Sequence, residues 1–168
     1  GSLQVTGWDE RQFQLRGDDE LTWEQTDEAL VLRGGGDIQL RVPRDTTLVL
    51  PSDIHGELTV EVLATPVEGS QIHGDAVVRS LGGPVSLRTV HGDLTVDASG
   101  AVTVEGWVHG DARLSRVAEV RLHATDGDLT VESAAALTVD GKVEGDARVS
   151  IAGSVEIHRI EGDLTAKD

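Results

Sequence analysis

A glycine followed by an acidic residue recurs from residue 56 to the end of this chain at almost constant intervals. The differences in residue number between successive glycines are 18, 18, 18, 17, 18 and 17. The pairs are Gly56-Glu57, Gly74-Asp75, Gly92-Asp93, Gly110-Asp111, Gly127-Asp128, Gly145-Asp146 and Gly162-Asp163. Such a fixed period is typical of a solenoid, in which each repeat buries its apolar side chains only by stacking on its neighbours.

Each repeat alternates apolar and polar residues, as in the segments 94–96 and 102–104, which both read apolar, Thr, apolar. This is the period of a strand and not of a helix. Stacking of the repeats predicts two inward columns along the core. The first contains Leu58, Ala76, Leu94, Ala112, Leu129, Ala147 and Leu164, and the second contains Val60, Val78, Val96, Leu114, Val131 and Val149. We therefore predict an all-β fold, a single-stranded β-helix (a β-solenoid) in which the length of one coil equals the spacing of the glycines.

The first part of the chain lacks this register, although it also contains strand-like apolar segments. We interpret the chain as one continuous domain, in which residues 1–55 form irregular opening coils and the N-terminal cap, and residues 56–168 form the regular β-helix coils. Trp8, Phe13 and Trp23 all lie in the first part, and we expect their bulky side chains to seal one end of the core. An aromatic platform for carbohydrate is the alternative interpretation.

The charge of the chain restricts its partners. Its 168 residues include 14 Lys and Arg against 30 Asp and Glu, a formal net charge of −16. Such a surface repels nucleic acid and anionic lipid, and no apolar run approaches the roughly 20 residues of a membrane span. We predict no nucleic-acid partner and no direct membrane contact. The absence of cysteine excludes disulfides and thiolate chemistry.

Several motifs, in the order in which they occur, resemble the bacterial adhesin-like family of β-helical domains of unknown function. They are the segments 5–10 (Val-Thr-Gly-Trp-Asp-Glu), 38–43 (Ile-Gln-Leu-Arg-Val-Pro) and 47–50 (Thr-Leu-Val-Leu), followed by recurrent Gly-Asp-Leu-Thr-Val. The resemblance covers essentially the whole chain. It implies a right-handed β-helix on the extracytoplasmic side or cell surface of a bacterium, and it supplies no catalytic residues. Bactofilin-like β-solenoids share the recurrent motif and are the alternative.

The first two residues, Gly1-Ser2, stand in a chain that contains no methionine. This is typical of the remnant that a protease leaves, so we expect a native targeting segment to lie outside this sequence.

Four histidines, His55, His73, His91 and His109, each precede the repeated glycine, and Asp126, Glu144 and Glu161 continue this column. Adjacent coils lie about 4.8 Å apart, so neighbouring imidazoles are candidate ligands for a divalent zinc, copper or nickel ion. The alternative is a solvated corner, where these side chains only hydrogen-bond the local backbone. We expect no other cofactor.

The acid after each glycine forms a second column of seven carboxylates. Two charges at the coil spacing repel by roughly 0.9 kcal/mol in water, so something must offset the repulsion. The candidates are backbone donors at the turn, the adjacent histidines, and bound cations such as calcium.

No catalytic grouping is evident, because the acids are spread as a repeat and aromatic residues make up only 2% of the chain. We predict a non-catalytic structural or adhesion module of a bacterial cell-surface protein, whose protein or cell-surface ligand the sequence does not identify. The alternatives are a metal-binding module and a carbohydrate-active β-helix enzyme. The chain ends one strand into a new coil, so we expect a monomer or a tail-to-tail homodimer. The residues of this open end are Leu164, Val149, Ile151, Val155 and Ile157.

Overall fold

The computed structural model describes residues 2–17, 22–26, 29–33, 37–51, 53–80, 82–150 and 153–167. These residues form strands and turns, and the strands stack in parallel into a β-solenoid of about seven turns. The predicted all-β β-helix is therefore confirmed. Within the described ranges there is no helix of the length and apolarity that a membrane span requires.

Two sheets run along the solenoid. Among the described residues the first sheet contains β1 (Leu3–Trp8), β2 (Gln14–Gly17), β5 (Ile38–Pro43), β7 (Leu58–Glu61), β10 (Ala76–Arg79), β13 (Leu94–Ser99), β15 (Ala112–Val117), β17 (Leu129–Glu132), β19 (Ala147–Ser150) and β21 (Leu164–Lys167). The second contains β3 (Thr22–Gln25), β4 (Leu30–Arg33), β6 (Leu48–Leu50), β8 (Val67–Gly69), β9 (Gln71–Ile72), β11 (Val85–Leu87), β12 (Thr89–Val90), β14 (Val102–Val108), β16 (Glu119–Thr125), β18 (Ala136–Val143) and β20 (Ser154–Ile160).

The second sheet bends within each coil. β8 and β9, like β11 and β12, are separated by a single residue, whereas β14, β16, β18 and β20 run through the bend as single strands. The register between these longer strands shifts at the bend, for example between Val104 and Trp107. A β-bulge of this kind turns a strand, so each coil has three sides although it contributes to only two sheets.

The predicted inward columns form the core. The first six members of the first column, which pair in register and are each 0% exposed, are Leu58, Ala76, Leu94, Ala112, Leu129 and Ala147. Leu164 is 54% exposed because β21 is the last strand of its sheet. Leu3 pairs with both Ile38 and Leu58, so the column extends into the part of the chain where the sequence period is missing.

The chain does not build the solenoid in sequence order at its N-terminal end. β1 lies between β5 and β7 and pairs in parallel with both. β2 pairs antiparallel with β5, and β3 pairs antiparallel with β4. These two antiparallel strands stand at one end of the two sheets, so the cap is made by strands that reverse direction.

The aromatic residues of the first part divide between two places. Phe13 and Trp23 lie together at the cap with ring centroids 6.5 Å apart, but Trp23 is 59% exposed and so covers the end of the core only in part. Trp8 lies on β1, which β5 and β2 separate from the end of the sheet, and its ring is 5.7 Å from the Arg41 guanidinium. Trp8 therefore covers the side of the solenoid and not its end.

At the other end, β20 and β21 are the last strands of their sheets among the described residues. Val155 and Leu164 are 42% and 54% exposed, and Ile157 packs against the core while only partly buried. Val149 belongs to the layer below, is 3% exposed and pairs with Ala166. Ile151, also predicted for this surface, lies outside the described residues.

Candidate functional site

The repeated glycines lie in a turn that leads from the second sheet to the next strand of the first sheet. We call it the glycine turn; it comprises residues 55–57, 73–75, 91–93, 109–111, 126–128, 144–146 and 161–163. Backbone hydrogen bonds join successive turns, with the Gly92 N–H donating to the Gly74 carbonyl at 3.1 Å and the His91 N–H donating to the Ile72 carbonyl at 2.8 Å. The turns thus continue the ladder of the sheets and hold their side chains in register.

The acids of this turn form a hydrogen-bonded chain that we call the aspartate ladder. Oδ1 of each carboxylate accepts the backbone N–H of the aspartate in the next coil, at 2.8–2.9 Å. The accepting residues are Asp75, Asp93, Asp111, Asp128 and Asp146. Hydrogen bonds to an ionised acceptor are stronger than neutral ones, so backbone donors offset the repulsion within the column. The donor belongs to the next coil and not to the acid's own turn.

The glycine of the turn is required for space. A Cβ on Gly92 would lie 2.1 Å from Oδ1 of Asp75 and 2.8 Å from the carbonyl of Gly74, and Gly110 has the same surroundings one coil further on. Among the described glycines only Gly17 has a positive φ, so backbone freedom is not the reason for the repeat. Glycine and aspartate recur together because the carboxylate of one coil occupies the position where the next coil would place a Cβ.

The four predicted histidines form one stack on the exposed edge of this turn. The imidazole centroids of His55, His73, His91 and His109 are successively 4.8, 4.8 and 5.0 Å apart, with interplanar angles of 16°, 1° and 17°. Asp126 continues the column as predicted, since its Oδ2 lies 2.7 Å from Nδ1 of His109. In a neutral imidazole whose Nδ1–H donates to this carboxylate, Nε2 is the acceptor nitrogen.

Stacked rings present their nitrogens side by side. Two neighbouring imidazoles are available to one ion at a time, and among the described residues no three His, Asp or Glu side chains converge to hold a metal. A zinc site of four converging ligands is therefore not formed by these side chains. Metal binding by His55, His73, His91 and His109 stays a prediction.

A second charged column lies at the bend of the second sheet. It follows directly after residues that pair in register and alternates Arg or His with an acidic residue: Arg88, Glu105, His123, Asp140 and His158. Nδ1 of His123 lies 2.7 Å from Oδ1 of Asp140. The differences in residue number along this column are 17, 18, 17 and 18, so the repeat period was the signal that would have revealed it.

Two shallow pockets lie along this column and share Glu105. One, of about 460 Å³, contains Arg88, and the other, of about 500 Å³, contains His123 and Asp140. Both contain serines or threonines beside the charged side chains. This part of the surface is therefore a place to test the carbohydrate-active alternative.

Trp107 joins the two columns. Its ring is 6.1 Å from that of His109, nearly parallel, and 6.5 Å from that of His123, nearly perpendicular. Lys142 lies 5.3 Å from the Trp107 ring centroid. The hydrogen bond from Lys142 to Glu144 raises the pKa of its ammonium group above the ordinary value, so this cation over the ring stays charged.

The stacked parallel strands agree with the β-helical fold that the resemblance to the adhesin-like family implies. Comparison of the chain with protein-family models, with curated proteins and with solved structures gives no match. The structure thus establishes a β-solenoid, and no comparison assigns it to a family.

Proposed function

We propose that this chain is a non-catalytic structural or adhesion module of a bacterial cell-surface protein, of the adhesin-like kind that its motifs resemble. The aspartate ladder is the observation that supports this most. Carboxylates at a regular spacing are the residues most open to a catalytic or ligand-binding interpretation, and each of the five accepting aspartates instead holds the next coil in place. Their regularity has a structural cause.

The shape suits a rigid spacer. About seven turns at about 4.8 Å each give a rod roughly 34 Å long, tied along its length by two sheets, the glycine turns and the aspartate ladder. Such a rod presents its side chains at fixed intervals, which is the property that an adhesion module needs.

The proposal predicts the absence of turnover, and the polar pockets at Glu105 are the place to test it. Incubation with a panel of acidic and neutral polysaccharides should release no reducing ends. Cleavage that disappears in Glu105→Gln or Asp140→Asn, but persists in Glu57→Gln at the glycine turn, would contradict the proposal and favour the carbohydrate-active enzyme.

The interaction surface that we propose is the C-terminal end, and its partner is a second copy of the chain. Antiparallel pairing of β20 with its copy, centred on Ile157, brings Ile157 against Ile157 and Glu156 opposite His158 of the second copy. The pairing thus extends the apolar core and places unlike charges across from each other when His158 is protonated. The opposite end carries the antiparallel strands β2 and β3, so the two ends are not complementary and the assembly closes as a dimer.

Two exposed leucines make a matched test of this dimer. Leu164 is 54% exposed at the C-terminal end and Leu15 is 46% exposed at the cap. Sedimentation equilibrium should show a dimer that Leu164→Lys dissociates by at least tenfold in Kd and that Leu15→Lys leaves intact. A monomeric parent, a filament, or equal effects of the two variants would contradict tail-to-tail association.

The histidine stack supports a second candidate, a surface site for a transition-metal ion. Its four rings lie on one exposed edge, and the ring of His109 is oriented by Asp126 in the way that a carboxylate orients a metal-bound imidazole. Calorimetric titration with zinc, copper and nickel should then give a signal that the double variant His73→Gln/His91→Gln loses. The double variant His123→Gln/His158→Gln is the control, and equal responses of both variants, or no heat from the parent, would exclude the stack.

A further inference from the structure

An apolar pocket lies under the N-terminal cap, at the end of the molecule opposite the proposed dimer surface. Its volume is about 140 Å³. The side chains that line it are Phe13, Leu15, Trp23, Leu30, Leu32 and Leu40. Among the described residues every lining side chain is apolar or aromatic, and the indole N–H of Trp23 is the one polar hydrogen that these six side chains carry.

The reversal of strand direction at the cap creates this pocket. β2 and β3 place Leu15 opposite Leu40 and Trp23 opposite Leu32, so side chains face each other across antiparallel pairs. In the coils beyond, each inward side chain instead lies above another in a parallel column and is almost completely buried. The pocket lies where one packing pattern changes to the other.

The pocket has a closed floor and an accessible mouth. Leu30, Leu32 and Leu40 are 2%, 3% and 5% exposed and form the floor. Phe13 and Trp23 lie over them with their rings tilted by 41°. Leu15 and Trp23, the two strongly exposed members of the lining, mark the mouth. A ligand therefore has a route in without any unfolding of the coils.

We propose that this pocket binds one small apolar molecule, of the size and chemistry of benzene or a short branched hydrocarbon. An apolar cavity of about 150 Å³ stays dry and accepts benzene, whereas an ordered water needs two to four polar partners. The rings of Phe13 and Trp23 can make edge and face contacts with an aromatic ligand. The six described lining side chains carry no charge, so they offer an ion or a sugar no charged partner. This site is independent of the structural role and of the dimer.

Benzene itself is the probe. We expect saturable, one-to-one binding by isothermal titration and a melting temperature that rises with benzene concentration, because a ligand that binds only the folded state stabilises it. In a Trp8→Phe/Trp107→Phe background Trp23 is the remaining tryptophan, and its emission should change with the same saturation curve. The absence of saturable binding, or binding without a change in Trp23 emission, would overturn the proposal.

Three variants place the ligand. Leu32→Phe fills the floor and should lower the affinity at least tenfold. Leu15→Ala alters only the mouth, where the side chain is already exposed, and should shift preference from benzene towards larger alkylbenzenes without loss of folding. Leu164→Ala removes the exposed leucine at the opposite end and should leave binding unchanged. Full affinity in both Leu32→Phe and Leu15→Ala, or loss of binding in Leu164→Ala, would assign the ligand to another apolar surface and overturn the proposal.

Discussion

The coils change direction at two different kinds of turn. One is restricted by the space around its side chain and the other by its backbone conformation. The glycine turn has no positive φ, but at every repeated glycine after Gly56 it has no room for a Cβ. The other, which we call the left-handed turn, follows the first four residues of a first-sheet strand and carries side chains as different as Val, Ser and Arg, but its backbone takes a positive φ. Its residues are Val62, Ser80, Arg116 and Ser133, with φ between 52° and 61°.

The difference explains why only one turn is visible in the sequence. Steric exclusion at the glycine turn admits one residue type, so the repeat is visible in the sequence as a regularly spaced Gly-acid pair. A left-handed conformation costs a residue other than glycine roughly 1–2 kcal/mol, which the neighbouring ladders can sustain, and so Val, Ser and Arg all occur. A turn that is costly in conformation can therefore vary more than one that is crowded.

The largest effect should come from crowding. Gly110→Ala places a Cβ 2.1 Å from Oδ1 of Asp93 and 2.8 Å from the backbone of Gly92, and the backbone contact cannot relax. We expect the free energy of unfolding to fall by about 3 kcal/mol, measured by urea denaturation. Gly82→Ala is the control, since its Cβ would come no closer than 3.3 Å to Ala64. Equal losses in the two variants would show that lack of space for a Cβ is not the reason for glycine at this turn.

Removal of one member of the aspartate ladder should have the next largest effect. Asp93→Ala leaves the N–H of Asp111 without its acceptor at 2.9 Å, and a hydrogen bond to a charged group is worth about 1.5–3 kcal/mol. We expect a loss of about 2 kcal/mol in the same denaturation assay. Asp93→Asn keeps an acceptor oxygen and should lose less than half as much.

Glu57→Ala is the matched control for the ladder. Glu57 occupies the first position of the same column, but among the described residues its carboxylate accepts no backbone N–H of the next coil. Its removal should change stability by less than about 0.5 kcal/mol. A loss as large as that of Asp93→Ala would mean that charge, and not the hydrogen bond, makes the column stabilising.

The inward-facing residue that precedes each glycine turn offers a substitution that should stabilise the fold. This position is apolar in most coils, but Thr125 occupies it at 0% exposure, and its hydroxyl has no hydrogen-bond partner among the described residues. Thr125→Val keeps the shape and removes the buried polar group, so we expect a gain of about 1 kcal/mol. Thr130→Val, on the outward face, should be near neutral. A loss in Thr125→Val would indicate a partner such as a buried water.

The smallest effect is expected at the left-handed turn. Val62 is β-branched and has a φ of 61°, a conformation that Asn adopts far more readily. Val62→Asn should raise the free energy of unfolding by about 0.5–1 kcal/mol, net of the apolar burial that is lost. The melting temperature should rise accordingly. Ser80→Asn should gain less, because serine is not β-branched. If Val62→Asn destabilises the chain, the buried part of the valine side chain outweighs the backbone strain.

The same contrast separates what the sequence could predict from what it could not. The inward columns and the histidine stack follow from one period and one spacing, and both are found where they were expected. The left-handed turn carries no residue signature, and the insertion of β1 depends on the pairing of Leu3 with the distant Ile38 and Leu58, which no local pattern records. The alternating column that contains Arg88 and Glu105 follows the same period. Because its residue type changes from coil to coil, inspection of the sequence does not reveal it as a column.

The pocket and the dimer surface depend on the two ends, where the repeat provides no guidance. Trp23 and Phe13 were expected at the cap, but the reversal of β2 and β3, which creates the space beneath them, follows from pairing with β5 and β4. At the other end, exposure of Leu164 follows from its place in the last strand, whereas Val149 is covered by the layer above.

The insertion of β1 has a consequence for synthesis. β1 is synthesised before β5 and β7, the strands that pair with its two sides, and β7 ends at Glu61. β1 therefore stays unpaired on at least one side until Glu61 has been made. Its pairing with β5 and β7 then joins the cap to the coils in a single step. Because contacts of such long sequence separation form slowly, the cap and the first coil should fold together and slowly, and each following coil then adds to the edge that they provide.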